Sequence, residues 1–398
     1  MATVASVQAT SQSRARAATA ATSRLFFVDY WRVALAILVV LHHVAMVYGA
    51  TIPFYYMEPP LTDPLAYLAL MVFALLNQAW FMGAFFLLAG YFVPRSYDRK
   101  GPGRFAVGKL VRLGIPIVLY YLLIEPLSQT GFWLMPSALT GITNPLSWKA
   151  YPRLLGLGPV WFIAMLLVFC LGYVAWRLLA GKRAGSSTSK TSRPGYLGVG
   201  LFVLALAGVS YLWRMVVPIG KSVGDFPTIA YLPQYLSFFV IGIVANRRDW
   251  FRNLPGTMGI VGGVAALVAA VVLFPLAFSG KLFTLDLTAI NNAFGNGHGQ
   301  SAVYALFDSL FSVGLCLGAI AVLSRLFNRE SRFGGFLARH SYAVYLIHIP
   351  IVVYLGYALR GLALPNLLKF GVASLVVVPA CFIVAWLLRK IPFVSRVI

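Results

Sequence analysis

The sequence predicts an all-α membrane protein of about ten transmembrane helices with both termini in the cytoplasm, and three observations predict it. Hydrophobic residues make up 60% of the chain and charged residues 11%, at a mean hydropathy of +0.83; a soluble domain is about half apolar and about a quarter charged. The apolar residues fall into ten runs, each near the roughly 20 residues that a bilayer-spanning helix needs. Of the 32 Lys and Arg residues, 25 collect on one side of those runs and 7 on the other, which is the positive-inside pattern.

The first run, about 30–50, has Arg14, Arg16, Arg24 and Arg32 on its N-terminal side, and the connection 51–64 beyond it has no basic residue. The second, about 65–92, is long enough to tilt. Arg95, Arg99, Lys100, Arg104, Lys109 and Arg112 then form a dense inner loop before the third run, about 111–126. The fourth, about 159–180, follows Lys149 and Arg153 and precedes the Gly/Ser/Thr/Lys linker 181–195, expected to be a flexible cytoplasmic loop. Runs at about 196–217, 228–246, 256–279, 301–324, 341–360 and 366–388 continue the alternation. Prolines 116, 218, 233, 275 and 379 are expected kinks or helix ends. The stretch NNAFGNGHGQ (291–300) reads as a loop by its Asn and Gly content, with His298 solvated.

Residues 1–24 read as a disordered cytoplasmic tail, 25–390 as one transmembrane domain and 391–398 as a short cytoplasmic tail. The formal charge of +22 belongs to topology, so no nucleic-acid partner is expected. Cys170, Cys316 and Cys381 sit inside apolar runs without metal-ligand spacing, and neither a disulfide nor a metal site is expected.

Polar residues at membrane depth are costly and mark function. The first run carries Asp29, Arg32 and His43, with His42 alongside. His43 lies about three helical turns beyond Arg32, and the two side chains fall within roughly 20° of each other. Asp29 is within about 40° of the same line. A rise of about 16 Å puts His43 past the midplane from the cytoplasm. The stripe must therefore face protein or a watery cavity. His42 points roughly 100° away. Asp308 is an intramembrane acid with no evident partner in the sequence.

The stretch FFVDYWRVALAILVVLHHVAMVYG resembles the first helix of the acyltransferase-3 family of membrane acyltransferases, whose Asp, Arg and His match Asp29, Arg32 and His43. FFLLAGYFVP (85–94), RFAVGKLVRLGIP (104–116), GPVWFIAMLL (158–167) and SYAVYLIHIP (341–350) resemble its later signatures in the same order, over nearly the whole chain. SYDRKGPGRF and the His pair are most similar to the glucan-modifying, succinyltransferase-like branch. Ala89 stands where the family often has Ser, and no chemistry is assigned there. The resemblance implies a cell-membrane O-acyltransferase that moves acetyl or succinyl from acyl-CoA, as substrate and not as bound cofactor, to a carbohydrate-type hydroxyl. Any second step on an esterase-like domain would need a separate extracytoplasmic partner protein.

Acyl transfer needs a base for the hydroxyl proton and a stabiliser for the oxyanion. His43 is the expected base or acyl carrier, with His42 as the other candidate, and Asp29 and Arg32 organise the inner mouth. Arg95, Arg104 and Arg112 are the candidates for the CoA phosphates, set against plain positive-inside topology. Glu125 either orients an acceptor hydroxyl or sits in the interface. Trp161, Tyr345 and His348 are candidate substrate contacts, set against packing for Trp161 and a hydrogen-bonded structural role for His348. The competing class is a proton-coupled or solute transporter using the same Asp29/Arg32/His43 stripe. Against it, no paired Gly/Pro-broken segments occur in matching halves.

Overall fold

The computed structural model describes residues 24–49, 54–58, 63–181, 193–284 and 286–397. The tail 1–23 and most of the linker 181–195 lie outside these. Among the described residues, ten helices are long and apolar enough to cross a membrane: α1 (Phe26–Tyr48), α2 (Pro64–Lys100), α3 (Pro102–Leu134), α4 (Trp148–Leu179), α5 (Tyr196–Val216), α6 (Ile229–Arg247), α7 (Gly256–Ala277), α8 (Gly299–Leu326), α9 (Arg332–Gly361) and α10 (Asn366–Leu388). Among the described residues there is no β-strand, only one isolated bridge between Val223 and Phe226. Large aliphatic side chains such as Leu123, Leu197 and Leu375 stand exposed on the outer helices, as hydrocarbon solvent permits.

The structure corrects several readings. The second span is broken rather than simply tilted: Pro64–Gln78 ends at Ala79 and Trp80, and Phe81–Lys100 begins a new helix. The basic stretch 95–112 is not a loop. It is two helix ends meeting at a corner on Gly101, with helix resuming at Pro102. Residues Leu287–Phe294 are helical, capped by the Asp286 carboxylate, and α8 begins at Gly299, so the loop expected at 291–300 shrinks to 295–298. His298 is exposed, as expected. Within 391–398, Pro392–Val397 form a short helix.

Prolines explain the irregularity of α3 and α7. Each lacks an N–H, so the carbonyl four residues earlier loses its helical donor. A widened π turn precedes each one: Leu110–Gly114 before Pro116, Tyr120–Ile124 before Pro126 and Ala269–Leu273 before Pro275. In α3 the released carbonyls are taken up by tyrosines from elsewhere. Tyr342 donates to Arg112 O at 3.1 Å and Tyr151 to Leu122 O at 2.6 Å. Such replacement is what allows proline in a spanning helix.

Small residues let backbones touch, the usual packing of membrane helices. Between α2 and α6, a Cβ on Gly242 would press on Leu87 O and come within 2.8 Å of Tyr91 N, and one on Gly90 would press on Phe239 O. The buried centre is formed by α1, α2, α4, α6 and α9. α1 and α9 run parallel in direct contact and carry the polar residues considered next.

Candidate active site

The stripe on α1 faces α9, as the depth argument required. At the end near the termini, Arg32 Nη2 donates to Ala338 O at 3.0 Å and pairs with Asp29 at 3.3 Å. Asp29 also holds Arg24 at 2.8 Å. Two turns and more along both helices, His348 Nε2 of α9 lies 3.2 Å from His43 Nδ1.

The hydrogen bonds fix the tautomers. His43 Nδ1 is 2.7 Å from Val39 O, and His348 Nδ1 is 2.7 Å from Tyr345 O. A carbonyl only accepts, so both Nδ1 atoms carry protons. His348 Nε2 is then a bare acceptor for the same His43 Nδ1–H. The remaining lone pair of His43 is on Nε2, which makes no hydrogen bond among the described residues, and His43 is only half-buried. This orientation by a second group is the logic of catalytic histidines generally. His42 is buried, with its ring 5.4 Å from His43 and 5.2 Å from Phe81, and its Nδ1 has no partner.

A short strap, residues 54–58, covers this region from the far end. Phe54 lies 5.5 Å from the His43 ring and 5.1 Å from Tyr55. Tyr55 donates to both oxygens of Glu125, at 3.0 and 3.1 Å, and Gln129 donates to Oε1 at 2.7 Å. Burial, then the Glu125 charge, holds the Tyr55 phenol well above its ordinary pKa, so it stays a donor. Glu58 anchors the strap through a buried ion pair with Lys369 and a 2.9 Å bond from its N–H to Val47 O.

The GPVW signature closes over Glu125. Gly158 has φ +45, a region L side chains avoid. Its Cβ would also strike Glu125 Oε2 and come within 3.0 Å of Tyr120. The next residue, Pro159, receives the Tyr345 hydroxyl on its carbonyl. Trp161 stacks on Tyr235 at 5.6 Å. Trp161 and Tyr345 thus tie α4 to α6 and α9, while His348 does hydrogen-bond, with His43 itself as a partner.

The three arginines chosen for phosphate, Arg95, Arg104 and Arg112, are all exposed. The Arg112 carbonyl accepts from Tyr342 at 3.1 Å, and Arg24 is held by Asp29. Arg95 lies four residues, about one turn, beyond Tyr91 on α2, and neither Arg95 nor Arg104 has a side-chain partner among the described residues. Sequence reading missed a different cationic knot. Asp98 binds Arg247 at 2.6 Å and Arg177 at 3.2 Å, and the Tyr173 hydroxyl accepts from Arg177 at 2.9 Å and from Arg247 at 3.4 Å. It also missed the partner of Asp308, which is Arg214 at 2.5 Å, fully buried under the Tyr231 ring at 4.7 Å. No cluster of potential metal ligands occurs among the described residues.

Ten spanning helices around a polar seam of two histidines, an arginine and a buried carboxylate define a multi-pass membrane protein with an enzyme-like interior. A family model for an acyltransferase domain matches residues 25–386, and the chain belongs to that family, acyltransferase-3. It is an acyltransferase, which decides between the two classes left open by the residues alone. No curated protein matches the chain, and no solved structure does.

Proposed function

We propose that this enzyme takes an acetyl or succinyl group from acyl-CoA reaching the bundle at its termini-bearing, cytoplasmic face. The acceptor is a hydroxyl of a carbohydrate or related envelope molecule. The observation that supports this best is the His43–His348 pair, which leaves one imidazole lone pair, His43 Nε2, uncommitted in the middle of the bundle.

In the base reading, His43 Nε2 takes the hydroxyl proton as the oxygen attacks the thioester carbonyl. The tetrahedral species collapses to an ester and CoA thiolate, and the imidazolium returns its proton to that sulfur. Val39 O and His348 Nε2 both accept from Nδ1–H, so the imidazolium is stabilised when it forms. In the relay reading the same lone pair attacks the thioester first and expels CoA as thiolate; the acceptor oxygen then takes the acyl group from the imidazole, which leaves neutral, and the hydroxyl proton goes to the thiolate. Both readings use one atom and place donor and acceptor at opposite ends of the α1–α9 seam.

On the donor side, our reading gives the phosphates to Arg32, held by Asp29, and to Arg112. Arg95 and Arg104 would join only if the ligand spans the wider rim. Glu125 serves the acceptor, with Tyr55 and Gln129 fixing its carboxylate. Trp161 and Tyr345 shape the wall. The enzyme resides in the cell membrane.

The test is CoA release by purified protein in nanodiscs, from acetyl-CoA and succinyl-CoA with a panel of sugar acceptors. His43→Ala is expected to lose about 10²- to 10⁴-fold, the range for general-base removal, while His42→Ala keeps most activity. Loss in His42→Ala with retention in His43→Ala would reverse the assignment. Wild-type protein releasing no CoA above background from either donor would count against the proposed donor class.

A further inference from the structure

Between α5, α6 and α8, at the end of the bundle that bears the termini, lies an apolar cavity of about 290 Å³. It shares no lining residue with the His43 site. Phe202, Phe238, Val313, Cys316 and Ile320 form its walls. Its volume is about twice that of an apolar cavity known to admit a benzene ring. Gly195 and Gly198 line it from α5 and the residue before it, and a Cβ at either would meet nothing within 4 Å.

The mouth differs from the walls. Arg193 and Arg248 stand there exposed, and neither has a carboxylate partner among the described residues. Arg248 lies 5.9 Å from the centre of the Trp250 ring. Trp250 also lines the cavity, and its buried indole N–H has no acceptor. Two unpaired guanidinium groups and an unused N–H call for an acceptor-rich anion. The apolar slot beneath them calls for hydrocarbon.

Geometry, charge and depth together fit one molecule of the surrounding bilayer. We propose that this groove binds an anionic glycerophospholipid of the leaflet on the termini-bearing side. One acyl chain fills the slot, the phosphate sits on Arg193 and Arg248, and a lipid oxygen accepts from Trp250 Nε1–H. Basic residues and tryptophan at the end of spanning helices are the recognised partners of such headgroups. The groove wall has a second contact. Phe251 stacks on Tyr91 at 4.2 Å and meets Trp31 of α1 at 6.4 Å. A lipid seated there braces the end of α1 that carries Arg32.

The experiment is native mass spectrometry of delipidated full-length protein titrated with phosphatidylglycerol or phosphatidylcholine of identical chains, and separately with palmitoyl-CoA. Wild type is expected to retain phosphatidylglycerol over phosphatidylcholine by roughly 30-fold, about 1 kcal/mol for each of the two cations. Arg193→Gln with Arg248→Gln should bring that ratio close to one, and both side chains are exposed, so folding is not at stake. Gly198→Phe, which fills open space, should abolish retention of the phosphatidylglycerol adduct while the protein elutes as wild type on size exclusion. An equal ratio in wild type overturns the proposal, as does a ratio unchanged in the double arginine variant. Palmitoyl-CoA displacing phosphatidylglycerol stoichiometrically would also overturn it, and would make the groove a site for a long-chain donor.

Discussion

His43 and Glu125 illustrate how much a single side chain depends on what holds it. The periodicity of α1 was enough to place Asp29, Arg32 and His43 on one line facing protein, because helix geometry is local. The identity of what they face was not legible, since Ala338 and His348 lie 306 and 305 residues away in the chain. Glu125 could be singled out as a carboxylate near a helix end, but not its clasp by Tyr55, Gln129 and the Gly158 turn. These contacts yield a separable expectation. Glu125→Gln keeps the hydrogen bonds from Tyr55 while removing the charge, and is expected to raise the KM for the acceptor by about tenfold. The thioester hydrolysis seen without acceptor should change little. Steady-state kinetics with each substrate varied in turn checks this, and equal loss of acceptor transfer and hydrolysis would assign Glu125 to the scaffold. The magnitude is that of one charge-assisted hydrogen bond, about 1.5 kcal/mol.

At the scale of elements, charge and glycine misled where they imitate loops. Residues 95–112 hold six cations around Gly101, yet they form two helices, because a bend needs only one glycine with φ +76. Residues 291–294 are rich in Asn but extend a helix that the Asp286 carboxylate starts. The π turns of α3 were foreshadowed only by Pro116; Pro126 and the tyrosines that complete the backbone were not. The pair Arg214–Asp308, joining α5 to α8, is the sharpest case. Asp308 alone looked anomalous in the sequence, and its partnership with Arg214 spans 94 residues. Asp308→Asn leaves the Arg214 guanidinium buried without its counter-charge, which in a protein interior costs about 3–5 kcal/mol. Arg214→Met with Asp308→Leu removes both charges and is expected to recover most of that loss. Thermal unfolding in detergent distinguishes the two; a double variant no more stable than Asp308→Asn would show that the pair contributes through shape and not through charge balance.

For the whole molecule, composition and the alternation of basic loops were sufficient for ten spans, because the bilayer imposes length and polarity on every crossing alike. Which spans are central was not legible, since lipid-facing and core-facing surfaces are equally apolar. The three native cysteines are buried, so orientation is directly measurable by labelling. Single cysteines at Lys221 and at Arg329, both exposed, are expected to differ in intact cells. A membrane-impermeant maleimide should reach position 221 from outside and position 329 only after permeabilisation. The opposite result would place the termini outside and reverse the direction of transfer.

The pairing of α1 with α9 also sets a schedule for the chain's own synthesis. His43 and Arg32 enter the membrane with the first span, but their partners are made some 300 residues later. At about 5–20 residues per second, that interval is roughly 15–60 s. Throughout it, a helix bearing an acid, a guanidinium and two imidazoles has no seam to turn toward. A nascent chain that has inserted eight spans is already most of a protein by mass and still has no catalytic centre, and its first helix depends on the insertion machinery or on water to shelter the groups that the ninth will cover.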